Sequence, residues 1–414
     1  MPAPAEPGVP RPAGRLTPAP RPPACSVRRV DSVYLDHAAT TPVDPAVRAA
    51  MEPHLGPLFG NASEPHARGR EARAALEAAR AVVAEVFGAS PRQVVFTSGG
   101  TEADNQAVFG LASAAPGEHV RVVAGAVEHP AVREPVRMLE RRGAEVVWAP
   151  VDGDGTIDVT RFAGLVREGD RLAAVMAANN VTGVVQPLEE VAEAARRSGV
   201  PLHVDAVQAA ASLPLRFSHM GAETMAISAH KLYGPKGVGC LLARDPERVP
   251  PLLLGGGQER GRRSGTENVA GAVGFAAAAS LLTGSGDRRA ELRDRLERRL
   301  PPGVRAVSAG AQRLPGHSLL HVAGIRAELL VLALDREGFA VSAGSACAAG
   351  ESEPSHVLTA QGMPAADARC VIRVSIGRHT TAAEVDRFAD ALARCAGALA
   401  AGALAAPAAA GGVR

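Results

Sequence analysis

From residue 34 to residue 242, short apolar runs alternate with stretches of helical periodicity, and this alternation restricts the chain to βαβ units on a mostly parallel sheet. Residues 94–97, 119–124, 145–149, 172–177, 202–205 and 237–242 read as strands. Residues 68–87 read as a helix with Ala72, Ala75, Leu76, Ala79, Val83 and Val86 on one face, stopped at Gly88. Residues 131–141 and 188–197 follow the same pattern, the second stopped by Gly199. The expected fold class is therefore α/β. Apolar residues make up 46% of the 414, enough for a large core, and with aromatics at 3% that core must be built of Ala, Val and Leu.

Composition divides the chain. Residues 1–30 are rich in Pro, Ala and Arg, nearly free of acid, and are expected to be disordered. A transit peptide shares that bias, but the frequent prolines spoil an amphipathic helix. Residues 31–48 are expected to join a small C-terminal domain, 49–278 to form a large ligand-binding domain, and 279–395 the smaller α+β domain. Residues 396–414 form an Ala/Gly-rich tail. A net charge of +2 sets up no strong field for nucleic acid or a membrane surface, and no run approaches the ~18 apolar residues of a spanning helix. Five scattered cysteines (Cys25, Cys240, Cys347, Cys370 and Cys395) without CxxC spacing argue against a disulfide framework or a zinc site and for a reducing cytoplasm. The run Val151-Asp152-Gly153-Asp154-Gly155-Thr156 lacks the later acids of a calcium loop and reads as a turn.

Three features carry chemistry. Although Lys and Arg total 45, the only lysines are Lys231 and Lys236, in one Gly/Pro loop after an apolar run. An ε-amine forms a Schiff base and a guanidinium does not, so this pattern suits a lysine that holds pyridoxal phosphate (PLP). Two surface lysines in an Arg-biased composition are the alternative. In Thr97-Ser98-Gly99-Gly100-Thr101-Glu102 a strand meets a helix N-terminus, which suits a phosphate, or an ordinary N-cap by Ser98 or Thr101. Asp205 closes a strand in His203-Val204-Asp205-Ala206-Val207-Gln208, where a carboxylate faces the ligand crevice and could pair with a pyridinium nitrogen, or cap a helix.

Taken together, these motifs resemble fold-type-I PLP enzymes of the class V aminotransferase superfamily, and within it the group I cysteine desulfurases of the iron–sulfur-cluster and nitrogenase type. The resemblance runs from about residue 34 to about residue 393. It rests on Tyr34-Leu35-Asp36, Ala39-Thr40-Thr41-Pro42, Phe96-Thr97-Ser98-Gly99, Glu128-His129, Asn179-Asn180, His203 through Gln208, Ser228 through Gly239, Arg263 through Asn268, Gly344-Ser345-Ala346-Cys347 and Arg373 through Arg378. It implies a large domain with a mostly parallel seven-stranded sheet. Lys231 matches the Schiff-base lysine, His129 the histidine stacked on the cofactor, Asp205 the pyridinium partner and Gln208 the partner of the phenolic oxygen. Gly100, Thr101, Ser228 and His230 fall in the phosphate-binding motifs. Thr266 matches a phosphate contact made across a homodimer, Asn180 and Arg373 the groups that hold the substrate carboxylate, and Cys347 the thiol that takes sulfur.

The resemblance implies conversion of L-cysteine to L-alanine, with a persulfide left on Cys347 and passed to an acceptor protein. Lys231 or His129 would remove the α-proton. A selenocysteine lyase, another class V PLP enzyme, or a sulfur-transfer scaffold without turnover are the rival readings. One departure stands out: the family usually carries Glu where this chain has Val181, beside Asn180. The loop around Cys347 consists of small residues, whereas Cys240 and Cys370 lie in apolar strand contexts.

Overall fold

The computed structural model describes residues 32–113, 115, 117–283, 288–344 and 354–402, so Cys25, Cys347 and Gly284-Ser285-Gly286, a run that reads as a break in the helical pattern of residues 270–300, lie outside the described residues. Its strands, in chain order, are β1 (Val33–Tyr34), β2 (Val94–Thr97), β3 (Arg121–Gly125), β4 (Glu145–Ala149), β5 (Leu172–Ala174), β6 (Leu202–Asp205), β7 (Thr224–Ser228), β8 (Gly239–Ala243), β9 (Val304–Val307), β10 (His317–Val322), β11 (Phe339–Ala340) and β12 (Val371–Ser375).

Strands β2 to β8 form a seven-stranded sheet in the order β2-β8-β7-β6-β5-β3-β4. All neighbours are parallel except β8, which runs antiparallel to both β2 and β7, with Phe96 and Ile227 each opposite Cys240. The expected α/β class and largely parallel seven-stranded sheet are thus present. Helices cover both faces, and the strands read as continuous apolar runs because neither face meets water. Helices Ala67–Val86 and Val269–Ser280 pack on one face with Leu76, Val83 and Phe275, while Gly100–Leu111 and Pro130–Arg141 bury Ala103, Val108 and Val132 on the other. A second core gathers around an antiparallel sheet ordered β12-β10-β9, with Leu320, Leu330, Ile372 and Phe388 at its centre. There β1 pairs in parallel with β11, so the first described strand is stitched to residues about 300 positions further on.

Strand β5 is shorter than its apolar run suggests. Beyond it the chain turns at Asn179, whose Oδ1 accepts from the amides of Val181 (2.8 Å) and Thr182 (3.0 Å). This turn carries Asn180 out of the sheet. Val181 is buried against an apolar cluster that includes Val127, Met176 and Val357. The Asp152 side chain caps its own turn by accepting from Asp154 N and Thr156 N, each at 2.9 Å. Among the described residues no helix is long and apolar enough to cross a membrane.

The phosphate-motif turn depends on an ion pair that the sequence does not advertise. Arg80 meets Glu259 in a two-pronged contact, Nη1–Oε2 at 2.7 Å and Nη2–Oε1 at 2.8 Å, with side chains 2% and 3% exposed. Glu259 Oε2 also accepts from Phe96 N (2.9 Å), and Arg80 Nη1 donates to Val94 O (3.0 Å). One dry pair therefore ties a helix, strand β2 and the Gly-rich loop at residues 254–259 together, just before Gly99-Gly100-Thr101. Breaking it leaves an uncompensated buried charge. Glu259→Ala should lower the unfolding free energy by about 3–5 kcal/mol in chemical denaturation, and replacing both residues with Met should cost much less. A single-variant loss of about 1 kcal/mol or less, the value of an exposed pair, would contradict this account.

Candidate active site

The parallel strands bring their C-terminal ends to one edge of the sheet, where open α/β folds bind ligands. Strand β6 ends in Asp205 and β7 in Ser228. The one-turn helix Ala229–Lys231 follows β7 directly, while β2 delivers Gly100 and Thr101 at the start of a helix. A cavity of about 200 Å³ opens at that edge, lined by Gly100, Thr101, His129, Asn180, Asp205, Gln208, Ser228, His230 and Lys231. Lys236 does not line it but lies exposed at the margin of a separate cavity. Thr266 is also exposed and outside it.

Lys231 Nζ donates to the carbonyl of Ala39 (2.8 Å) and to that of Ala38. Burial pushes its pKa down to about 8, the Arg373 guanidinium pushes the same way, and Asp36 and Asp205 oppose. A good share of the amine is therefore neutral and nucleophilic just above neutral pH. The backbone that follows is strained: Tyr233 sits at φ +63°, held by Thr41 Oγ1 accepting from its amide (2.9 Å).

His129 caps helix Pro130–Arg141, its Nδ1 accepting from Ala131 N at 3.1 Å. Burial lowers its pKa, with Asp205 opposing and Lys231 reinforcing, so the ring is neutral and its proton resides on Nε2. In this geometry His129 offers the cavity a donor, and Lys231 is the better placed base. Burial raises the Asp205 carboxyl, while His129, the Val207 amide (2.9 Å from Oδ1) and Lys231 draw it back.

Arg373 comes from β12, outside the large sheet. It is 7% exposed and donates from Nη1 to Asn180 O (2.9 Å) and from Nη2 to Asp36 Oδ1 (2.8 Å), while its Nε is buried without a partner. It reaches the cavity through Asn180. An unpartnered N–H on a fixed guanidinium is the kind of group that takes a carboxylate.

Sequence reasoning missed a buried relay behind Asp205. Asp104 Oδ1 lies 3.1 Å from His203 Nε2, and His203 Nδ1 lies 2.9 Å from Thr224 Oγ1. Burial pushes His203 down to about 3, so it is neutral. Burial, then the charges of Asp205 and Glu128, push Asp104 well above the usual carboxylate range. The signal was available: Thr101 and Asp104 share a helix face, and His203 and Asp205 share a strand face.

The family model "Aminotransferase class-V" matches residues 33–388. The chain belongs to this family. Among class V relatives, "Cysteine desulfurase IscS" of Anaeromyxobacter sp. (strain Fw109-5) is 44% identical over 364 residues, covering 86% of this chain and 90% of that protein. A solved "NifS-like protein" superposes with a TM-score of 0.82 at 34% identity, covering 88% of this chain and 98% of its own. A structure described as "SspA in complex with cysteine" superposes with a TM-score of 0.76 at 30% identity, covering 84% and 99%.

PLP fits this class V cavity. Helix Gly100–Leu111 is long enough to present a full dipole, and its first turn meets Ser228 and His230, a set of donors for a phosphate. A Cβ on Gly100 would come 2.4 Å from Val207 Cγ2, so a larger residue there would make the Val207 side chain shift. Gln208 holds a buried terminal amide atom with no partner at the cavity wall. The amine, the carboxyl and the phosphate donors are three distinct chemistries, each matched to one part of the cofactor. The depressed pKa of Lys231 can be read directly. In cofactor-free protein, labelling of Lys231 by a small amine-reactive reagent, followed by peptide mass spectrometry, should titrate with a midpoint near pH 8. Arg373→Leu should move that midpoint upward, because a neighbouring cation disfavours the protonated amine. A wild-type midpoint near the ordinary lysine value of about 10.4 would contradict the geometry.

Proposed function

We propose that this protein is a PLP-dependent cysteine desulfurase that converts L-cysteine to L-alanine and passes the sulfur, through Cys347, to an acceptor protein. The carrying observation is the convergence of the Lys231 amine, the Asp205 carboxyl and the Gly100–Thr101 helix turn on one cavity, with Arg373 anchored beside it. The relative named for this activity and the solved neighbour in complex with cysteine support the same reading.

Gly100, Thr101, Ser228 and His230 would hold the cofactor phosphate, Asp205 its pyridinium nitrogen and Lys231 its carbonyl carbon. Bound PLP supplies an electron sink for charge that develops at the α-carbon of an amino acid. Arg373 and Asn180 would orient the substrate carboxylate, which aligns the α-C–H bond with that sink. The neutral amine of Lys231 would take the α-proton, and His129 would serve as hydrogen-bond donor from Nε2. The Cys347 thiolate would then form an S–S bond with the substrate sulfur as the substrate Cβ–S bond breaks. The carbon takes up protons and leaves as alanine, and the sulfur remains as a persulfide.

The described flanks of the Cys347 segment favour this assignment. On one side Ser342 exchanges backbone hydrogen bonds with Arg373 (2.7 and 3.2 Å). On the other, His356 Nε2 lies 3.0 Å from the carbonyl of Glu128, the neighbour of His129. Cys240 and Cys395 are buried in the two cores, Cys370 is buried on the approach to β12, and burial pushes all three thiols up. A cytoplasmic homodimer, with Thr266 reaching the partner's phosphate site, completes the reading. Cys347→Ala should keep the PLP absorbance yet lose alanine formation by about three orders of magnitude or more, and peptide mapping of wild-type protein after incubation with cysteine should place the extra sulfur on Cys347. Near-normal desulfuration by the variant, or persulfide mainly on Cys240 or Cys370, would refute the proposal.

A further inference from the structure

Gln208 stands at the wall of the candidate cavity with one end of its amide already engaged. Its Nε2 position lies 3.2 Å from His317 Nε2, and its Oε1 position is buried with no partner. His317 opens β10 and has no room to retreat. Its amide donates to Leu314 O (3.2 Å), Leu314 N donates to Gly183 O (2.8 Å), and a Cβ on Gly183 (φ +79°) would come 2.4 Å from the His317 Cβ. A small cavity of about 30 Å³ borders both Gln208 and His317, with Lys231 and His37 on its wall.

The His317 ring is neutral. Burial pushes its pKa down to about 3, and Arg373, Arg289, Lys231 and Arg313 around it act in the same direction. His37, in the same small cavity, is itself held near 4 by burial and adds no negative charge. A neutral imidazole carries one N–H and one lone pair, and the two ends of a glutamine amide exchange places on a half-turn. If His317 Nε2 bears the lone pair, Gln208 must aim its amino group at His317 and its oxygen at the cavity. If His317 Nε2 bears the proton, the Gln208 oxygen accepts it and the amino group faces the cavity. The phenolic oxygen of PLP is anionic, so the first arrangement sets oxygen against oxygen and only the second gives a hydrogen bond.

We propose that His317 is a positioning residue: it donates from Nε2 to the Gln208 oxygen and thereby turns the Gln208 amino group onto the phenolic oxygen of the cofactor. This rests on the PLP reading of the cavity. The consequence is spectroscopic. A donor on the phenolic oxygen shares its negative charge, so the neighbouring proton of the Lys231–cofactor linkage leaves more easily. Without the donor that proton is held harder. In PLP-loaded protein, His317→Phe should therefore still bind PLP but raise the pH midpoint of the cofactor's absorption change by about one unit. Gln208→Leu should raise it equally, and the double variant no further than either single change. An unchanged midpoint in His317→Phe, or additive shifts in the double variant, would overturn the proposal. Should His317→Phe not fold, nitrogen NMR of histidine-labelled wild-type holoprotein reads the tautomer directly. A proton on Nε2 of His317 is expected, and a proton on Nδ1 would overturn the proposal. Wild-type protein that takes up no PLP would instead strike at the cofactor assignment, and both readings would fall.

Discussion

Lys231 keeps its amine where a charged amine is costly, and much of the surrounding structure follows from that. The side chain is led there by β7, a strand buried on both faces, and among the described residues it donates to the backbone carbonyls of Ala38 and Ala39. A guanidinium in the same position would stay protonated whatever its surroundings. Lysine, unlike arginine, can lose its charge on burial, which is the physical reason an arginine-biased chain retains lysine here. Arg373 reinforces the effect at short range and is itself restrained by Asp36 and Asn180.

That restraint joins distant parts of the chain. Asp36 follows β1, Asn180 follows β5, and Arg373 lies on β12, so closure of the site requires the small sheet to register against the large one. Backbone pairing fixes the register: Asp36 bridges Ser375, Ser342 bridges Arg373, and Val184 bridges Arg313. Long-range β pairing of this kind carries a large loop-closure cost before it yields contacts, so the site is complete only once the whole fold is. The Arg80–Glu259 pair performs the corresponding service on the phosphate side, fixing β2 ahead of the Gly100 turn.

Much of this was legible in the sequence. The α/β class, strands β4 and β6 and helix Leu188–Arg197 follow from apolar periodicity, and the place of Asp205 follows from its position at a strand end, whereas Ser228 came from the resemblance. What stayed hidden depends on three-dimensional neighbours. Nothing local marks Glu259 as the partner of Arg80, 179 positions away, and the positive φ of Glu259 and Arg260 contradicts their ordinary backbone preference. His317 reads as one more residue of a buried strand until Gln208 is placed beside it. The role of Cys347 came from resemblance to a family and from its small-residue loop, and no periodicity could have supplied it.

The account stands or falls on which amine carries the cofactor. The direct measurement is borohydride reduction of the PLP-loaded protein, followed by proteolysis and mass spectrometry of the pyridoxyl-bearing peptide. The account predicts a single label on Lys231, because only that amine combines access to the cavity with a lowered pKa. A label on Lys236, or a yellow protein in which no lysine is labelled, would contradict it.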